Sequence, residues 1–431
     1  MDFWSRIERW PLAKKWTIVY APAPQDRAFV ETAQTQQQEG VEISVAVLDA
    51  AQSRKIFDVP MARRGIQPVW VRIVNRGDAP CRLHLVSIDP NYFSPYEAAA
   101  ANHYSPFKRL LAFGGLACLF LPLLFLLPLK LIGSWIANRK MDAFFRDQAF
   151  RLRPILPGAT SEGFIYTPLD VGSKVVHTRI LRMQGAFELV FNIPVAGIDT
   201  DYQRRDLANY HPADRLVECD LPMLKQRLQA MPRAVTNARG SREGDPVNLV
   251  VIGDFPTLLG AFGGRWDETE TITFATCWKT CRAFLVGTEY RYSPVSPLFL
   301  FGRSQDFALQ RIRESINERL HLRLWITELR YGGRPVWVGQ VSRDIGVRFT
   351  VKTWNLTTHR IDPDVDESRD YVLEDLLEAE RLELAGYVDG VGSCDRSAPR
   401  HNLTGDPYFT DGKRGVGVVA GARTQAKFIG G

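Results

Sequence analysis

The residues best arranged for chemistry fall in one short run, Thr357-Thr358-His359-Arg360-Ile361-Asp362-Pro363-Asp364-Val365-Asp366. A histidine and three carboxylates so close together can hold a divalent metal. His321, on a separate segment, supplies a second imidazole, so the metal set read here is His359, Asp362 and His321. Such a site could activate water for hydrolysis. The same run also has a plainer use. Asp364 and Glu367 have the spacing of a capping box, and Asp366 and Glu367 suit the positive end of a helix dipole. Capping leaves His359 and Asp362 unexplained. Ser342 and Asp344 could join His359 in a Ser/His/Asp set, although no GxSxG elbow surrounds the serine.

Arg343, Arg303 and Arg369, with Lys413 nearby in type, are candidates for binding a phosphate or carboxylate. Their alternative use is in ion pairs with Asp306, Asp344 and Asp370. Gly260–Gly264 lacks the GxxxxGK[ST] pattern of a P-loop. Trp325, Trp337 and Trp354 sit on strand-like runs and suit a core. Cys277 and Cys281 form CxxxC, not the CxxC of redox or zinc sites, and six cysteines in 431 residues make no disulfide framework. No catalytic residue is assigned.

These residues need elements to position them. Val41–Leu48, Pro68–Asn75 and Arg82–Ile88 read as strands, as do Gly163–Pro168, Lys174–Leu181 and Phe187–Ile193. Neither trio makes a convincing core alone; together they predict a β-sandwich with halves at 41–105 and 147–200. Between them Leu110–Leu129 runs 20 residues without a charge, the length of a bilayer span. The membrane residues are read as Leu110, Phe113, Leu119, Pro122, Phe125, Leu129 and, as an interfacial anchor, Trp135. Pro122 and Pro128 break a simple helix. Basic flanks on both sides leave a single transmembrane span and a re-entrant wedge open across 106–140. Residues 1–40 form an extension without a secretory signal.

After Tyr210 the pattern changes. Arg215–Met231 reads as a helical entry with Asp220 as N-cap, Val247–Ile252 as a buried strand and Leu258–Phe262 as a helix. Val295–Phe301 reads as a strand and Phe307–Asn317 as a helix. His321–Leu329 and Pro335–Asp344 pair around Tyr331-Gly332-Gly333-Arg334, and Asp364–Leu384 reads as a helix. A Gly-rich tail follows from 386 to 431. The expected fold class is therefore multidomain: an N-terminal β-sandwich interrupted by an apolar membrane segment, then a C-terminal α+β domain at 210–385.

The stretches TLLGAFGGRW, YRYSPVSPLFLFGRSQDFALQRIRES, HLRLW, RPVWVGQVSRDIG, TTHRIDPDVDESRD and DPYFTDG resemble, in order, the C-terminal domain of LssY-like proteins over Tyr210–Gly412. That family takes its name from a type I secretion component, and its domain often accompanies membrane modules. The resemblance implies a bacterial, membrane-associated setting and carries no catalytic residues with it. Gly263–Trp266 lacks a residue that the family would place between Arg265 and Trp266.

The resulting expectation is a membrane-associated bacterial protein whose LssY-like domain binds a ligand or a partner. The alternative is a metal-dependent hydrolase of phosphate-bearing or other anionic substrates. The expected partners are the lipid bilayer and a membrane protein. The expected location is the bacterial inner membrane, with soluble domains facing the cytoplasm. A net charge of +6 with no dense basic cluster disfavours nucleic acid.

Overall fold

The computed structural model describes residues 19–105, 127–195, 206–269, 296–312, 319–349 and 357–428. The chain divides into two compact units, residues 1–170 with 176–195, and residues 171–175 with 196–431.

In the first unit, strands β1 (Gln34–Gln38), β2 (Val41–Val47), β3 (Ile66–Asn75) and β5 (Thr160–Pro168) form one sheet. Strands β4 (Arg82–Leu83), β6 (Gly172–Arg182) and β7 (Gly185–Val195) form another. Alternation sets the faces. Val41, Ile43 and Val45 lie on the side of Val71 and Ile73 and pack with Val176, Ile180, Phe187 and Phe191 in a core shared by both sheets. The opposite face of the first sheet offers Ala46, Trp70, Phe164 and Tyr166. Helices α1 (Ala50–Phe57), α2 (Pro95–Asn102) and α3 (Leu127–Gln148) contribute Phe57, Ala98, Ala137, Met141 and Phe145 to that core. Gln34 and Gln36 donate to the carbonyls of Asn192 (2.9 Å) and Val190 (2.8 Å), which ties edge strand β1 to the second sheet.

The expected membrane segment is corrected here. Among the described residues, no helix is long and apolar enough to cross a membrane. Leu110, Phe113, Leu119, Pro122 and Phe125 lie outside the described residues, as does Cys118. Leu129 lies in the first turn of α3, and that helix carries Lys130, Arg139, Lys140, Asp142, Arg146 and Asp147. Its residues Ala137, Met141 and Phe145 recur every four positions and bury one face in the protein core. Trp135 is exposed, with the Arg139 guanidinium 4.9 Å from its ring centroid. Neither the transmembrane reading nor the inner-membrane placement built on it is supported.

The second unit is also mainly β, which corrects the rest of the expected class. Its strands are β8 (Val217–Cys219), β9 (Ala234–Thr236), β10 (Glu243–Pro246), β11 (Leu249–Ile252), β12 (Asp267–Glu268), β13 (Phe299–Leu300), β14 (Arg303–Ser304) and β15 (Phe307–Ile312). There follow β16 (Arg319–Tyr331), β17 (Arg334–Phe349), β18 (Thr357–Ile361), β19 (Leu382–Asp389), β20 (Arg400–His401), β21 (Pro407–Tyr408), β22 (Lys413–Val419) and β23 (Lys427–Phe428). The main sheet runs β12-β15-β16-β17-β11-β22-β19-β23, with β8 on β16 and β18 on β17; a smaller one runs β10-β9-β13-β14. Helices α4 (Leu221–Gln229), α5 (Phe255–Phe262) and α6 (Val365–Glu378) begin at Asp220, Asp254 and Asp364, whose carboxylates accept from backbone N–H groups of the first turn.

One face of the main sheet presents Leu320, Leu322, Leu324, Ile326, Trp337 and Val341 to Leu258 and Phe262 of α5 and Val372 and Leu376 of α6. β16 and β17 are joined through Gly332 (φ 56°) and Gly333 (φ 72°), the two left-handed positions of a tight hairpin. The helix read at Phe307–Asn317 is corrected: Phe307–Ile312 is a strand antiparallel to β16, and 313–317 lie outside the described residues. Phe307 and Leu309 alternate into the helix-covered core, a period of two. The helix read to Leu384 ends at Glu378; Glu380, at φ 56°, turns the chain into β19. Cys277 and Cys281 are outside the described residues.

Candidate functional site: a buried polar face on two central strands

The other face of the main sheet changes character along its strands. At one end Trp325, Val338, Val250 and Ile252 pack with Leu224 and Leu228 of α4 and Leu298 and Leu300 near β13. Two residues further along β16 stands Arg323, opposite Gln340 of β17. Two further stands His321, between Ser342 of β17 and Gln310 of β15. Arg319 and Asp344 end the series. All seven of these polar side chains are more than nine-tenths buried.

Their bonds are few and directional. His321 Nε2 lies 2.8 Å from Asp344 Oδ2. A carboxylate only accepts, so Nε2 carries the proton and Nδ1 of the neutral ring keeps its lone pair. Burial pushes this imidazole down to about 4; Asp344 pulls the other way, and Arg319 and Arg323 add to the lowering. Arg319 donates to Gln310 Oε1 at 3.2 Å and stands 3.7 Å from Asp344 Oδ2. Arg323 donates to Gln340 Oε1 at 2.6 Å and to the Ser296 carbonyl at 3.3 Å. Burial lowers the Arg323 guanidinium to about 10, while Asp245 and Asp344 hold it up. It stays charged at neutral pH. Asp245 is buried in turn, and burial pushes its carboxyl up. Among the described residues, His321 Nδ1, Arg323 Nε and Gln340 Nε2 on this face have no hydrogen-bond partner.

The residues singled out from the sequence scatter by comparison. Arg303 is spent on Asp306 (3.0 Å) and the Ile326 carbonyl (2.6 Å) and lies over the Tyr210 ring. Arg369 is enclosed by Asp366, Asp370 and Asp411. Arg343 reaches Glu367 at 3.2 Å and lies over Tyr371. The three arginines thus serve different carboxylates. Asp362 accepts from the backbone N–H of Asp364 at 3.0 Å, a local turn bond. His359 lies in β18 in register with Val347; its side chain is outside the described residues. Among the described residues no three His, Cys, Asp or Glu side chains gather as for a metal ion. His321 instead has Asp344 on one nitrogen and guanidiniums two residues away on either side, surroundings that repel a cation. Ser342 and Asp344 do lie beside a histidine, but it is His321.

Sequence reasoning passed over Arg319, Arg323, Gln310 and Gln340. Their signal was the strict alternation Arg319-Leu320-His321-Leu322-Arg323-Leu324, which marks a strand with one polar face. Two of the stretches that carry the family resemblance, HLRLW and RPVWVGQVSRDIG, supply most of this face.

The comparisons agree with that resemblance. Residues 228–413 match the family described as LssY C-terminus. No curated protein matches the chain.

Proposed function

Taking residues 228–413 as an LssY C-terminal domain, we propose that this domain binds a small ligand bearing an anionic group on the polar face of β16 and β17. One observation carries the reading: the unpartnered Nδ1 of His321, Nε of Arg323 and Nε2 of Gln340, on neighbouring register positions of β16 and β17. A buried polar atom left unbonded costs about 1–3 kcal/mol, so three at such positions are a poor way to build a core. A ligand that places an anion at Arg323, an acceptor at Gln340 and a donor at His321 offsets all three. Arg323 suits the anion because its neighbours within bonding distance, Gln340 and the Ser296 carbonyl, are neutral.

Calorimetry on the full chain tests this with inorganic phosphate, sulfate and succinate as probes. Binding of at least one probe, weakened by Arg323→Met, is the expected result. Equal binding by wild type and variant, or no binding of any probe, would sink the reading.

A further inference from the structure

We infer that His321 is a nucleophile toward a phosphate monoester held on this face, an assignment that rests on the anion-binding reading above. The argument is geometric. Asp344 fixes the proton on Nε2, so the only lone pair of the ring is on Nδ1, and no described group occupies it. The register sets His321 between two guanidinium-bearing positions of one strand face, Arg319 and Arg323, each two residues away. Arg323, two residues along the same strand face, keeps Nε uncommitted and able to donate to a phosphoryl oxygen. An imidazole aimed at an anion-binding position, with its far side on a carboxylate, can form a covalent intermediate.

The step balances with a phosphate monoester monoanion and water alone. The Nδ1 lone pair forms an N–P bond as the ester P–O bond breaks. The proton on the phosphoryl group passes to the leaving oxygen, which departs as an alcohol. The ring becomes cationic, and Asp344 on Nε2–H stabilises that charge. A water oxygen then bonds to phosphorus, the N–P electron pair returns to Nδ1, and dihydrogen phosphate leaves. Asp344 touches only the histidine, so it is a positioning residue.

The test incubates the full-length protein with p-nitrophenyl phosphate and maps any phosphoryl label by mass spectrometry. The expected result is p-nitrophenol release, with a label on His321 that is stable in alkali and lost in acid. Asp344→Asn should slow release while leaving the affinity for inorganic phosphate within about twofold of wild type, a split that general loosening of the fold would not give. Mapping on the wild type needs no folded His321 variant. Phosphate binding by calorimetry without label or release would overturn the nucleophile and leave the binding reading standing. Failure of all calorimetric probes together with absence of label would overturn both.

Discussion

Two buried arginines of the second unit make opposite bargains with their surroundings. Arg369 on α6 donates to Asp370 at 2.8 Å, to Asp411 at 2.8 Å, to Asp366 at 3.2 Å and to the Lys413 carbonyl at 3.1 Å. Burial works against its charge, but the bonds to Asp370 and Asp411 outweigh burial and hold the guanidinium above its ordinary value. Tyr387 and Thr410 donate to Asp370 and Asp366 and complete the network. Arg323 is as deeply buried, is lowered rather than raised, and keeps one nitrogen unbonded. Completeness distinguishes a clasp, which joins α6 to the segment leading into β22, from the face proposed to bind a ligand.

The comparison breaks first at Arg369. Arg369→Met leaves three carboxylates facing one another and should destabilise the protein by about 3–5 kcal/mol, the usual loss on removing one partner of a buried pair. Arg323→Met removes a poorly satisfied charge and should change stability by less than about 1 kcal/mol. Urea unfolding of both variants measures the contrast. Similar losses for the two would remove the distinction between clasp and site.

The second effect is in pH. The unfolded chain protonates a histidine near 6.5, whereas burial pushes His321 in the fold down to about 4. Between those values the unfolded state binds more protons. The contribution of His321 is therefore fully present above 6.5 and is lost as pH falls toward 4. The loss amounts to at most about 3 kcal/mol. The groups facing the ring are Asp344, Arg319 and Arg323, and Asp344 reduces the effect. Unfolding midpoints followed downward from neutral pH should fall more steeply for wild type than for His321→Gln. Parallel curves would show that this imidazole is not held neutral by burial.

The third effect is in binding. Arg323→Met should weaken phosphate binding by about 10- to 100-fold, the range for losing a charge-assisted bond, while Arg369→Met, where it remains folded, should leave affinity near wild type. Titration calorimetry separates them.

Much of the frame behind this comparison was legible from local chemistry. The alternating Val and Ile of β2 and β3 marked strands, Asp220 and Asp364 marked helix starts, and Gly332-Gly333 marked the hairpin that aligns His321 with Ser342. What escaped depended on distant cover. Arg319, His321 and Arg323 alternate with leucines as on any strand with a wet face. Beside Arg323 stand Asp245 and the Ser296 carbonyl, both remote in sequence. Phe307–Ile312 has the apolar spacing of a helix, but it pairs as a strand with Arg319–Leu324 of β16, a register that the run itself does not carry. The long apolar run suggested a membrane span because a count of uncharged residues carries no information on faces. In α3, Ala137, Met141 and Phe145 turn one face to a protein core. Arg369 is a candidate for anion binding by its charge, with an ion pair to Asp370 as its alternative use; Asp366 and Asp370, beside it in sequence, supply two of its three carboxylates.

The smallest effect concerns a third charged cluster, which should side with the clasp. Trp266 Nε1 donates to Asp375 Oδ2 at 2.8 Å, and Arg265 and Arg311 bond the other oxygen of the same carboxylate. The Gly-Gly-Arg-Trp turn after α5 is thereby fastened to α6. Trp266→Phe keeps the ring against Phe262 and removes one donor of three. The loss should be about 1 kcal/mol, a single hydrogen bond to a group that keeps its other partners. The urea midpoint should move down slightly, with phosphate affinity unchanged. If phosphate binding fell with it, the fastening of α6 would be part of the ligand site, and the line between a saturated clasp and an open face would have to be redrawn through Asp375.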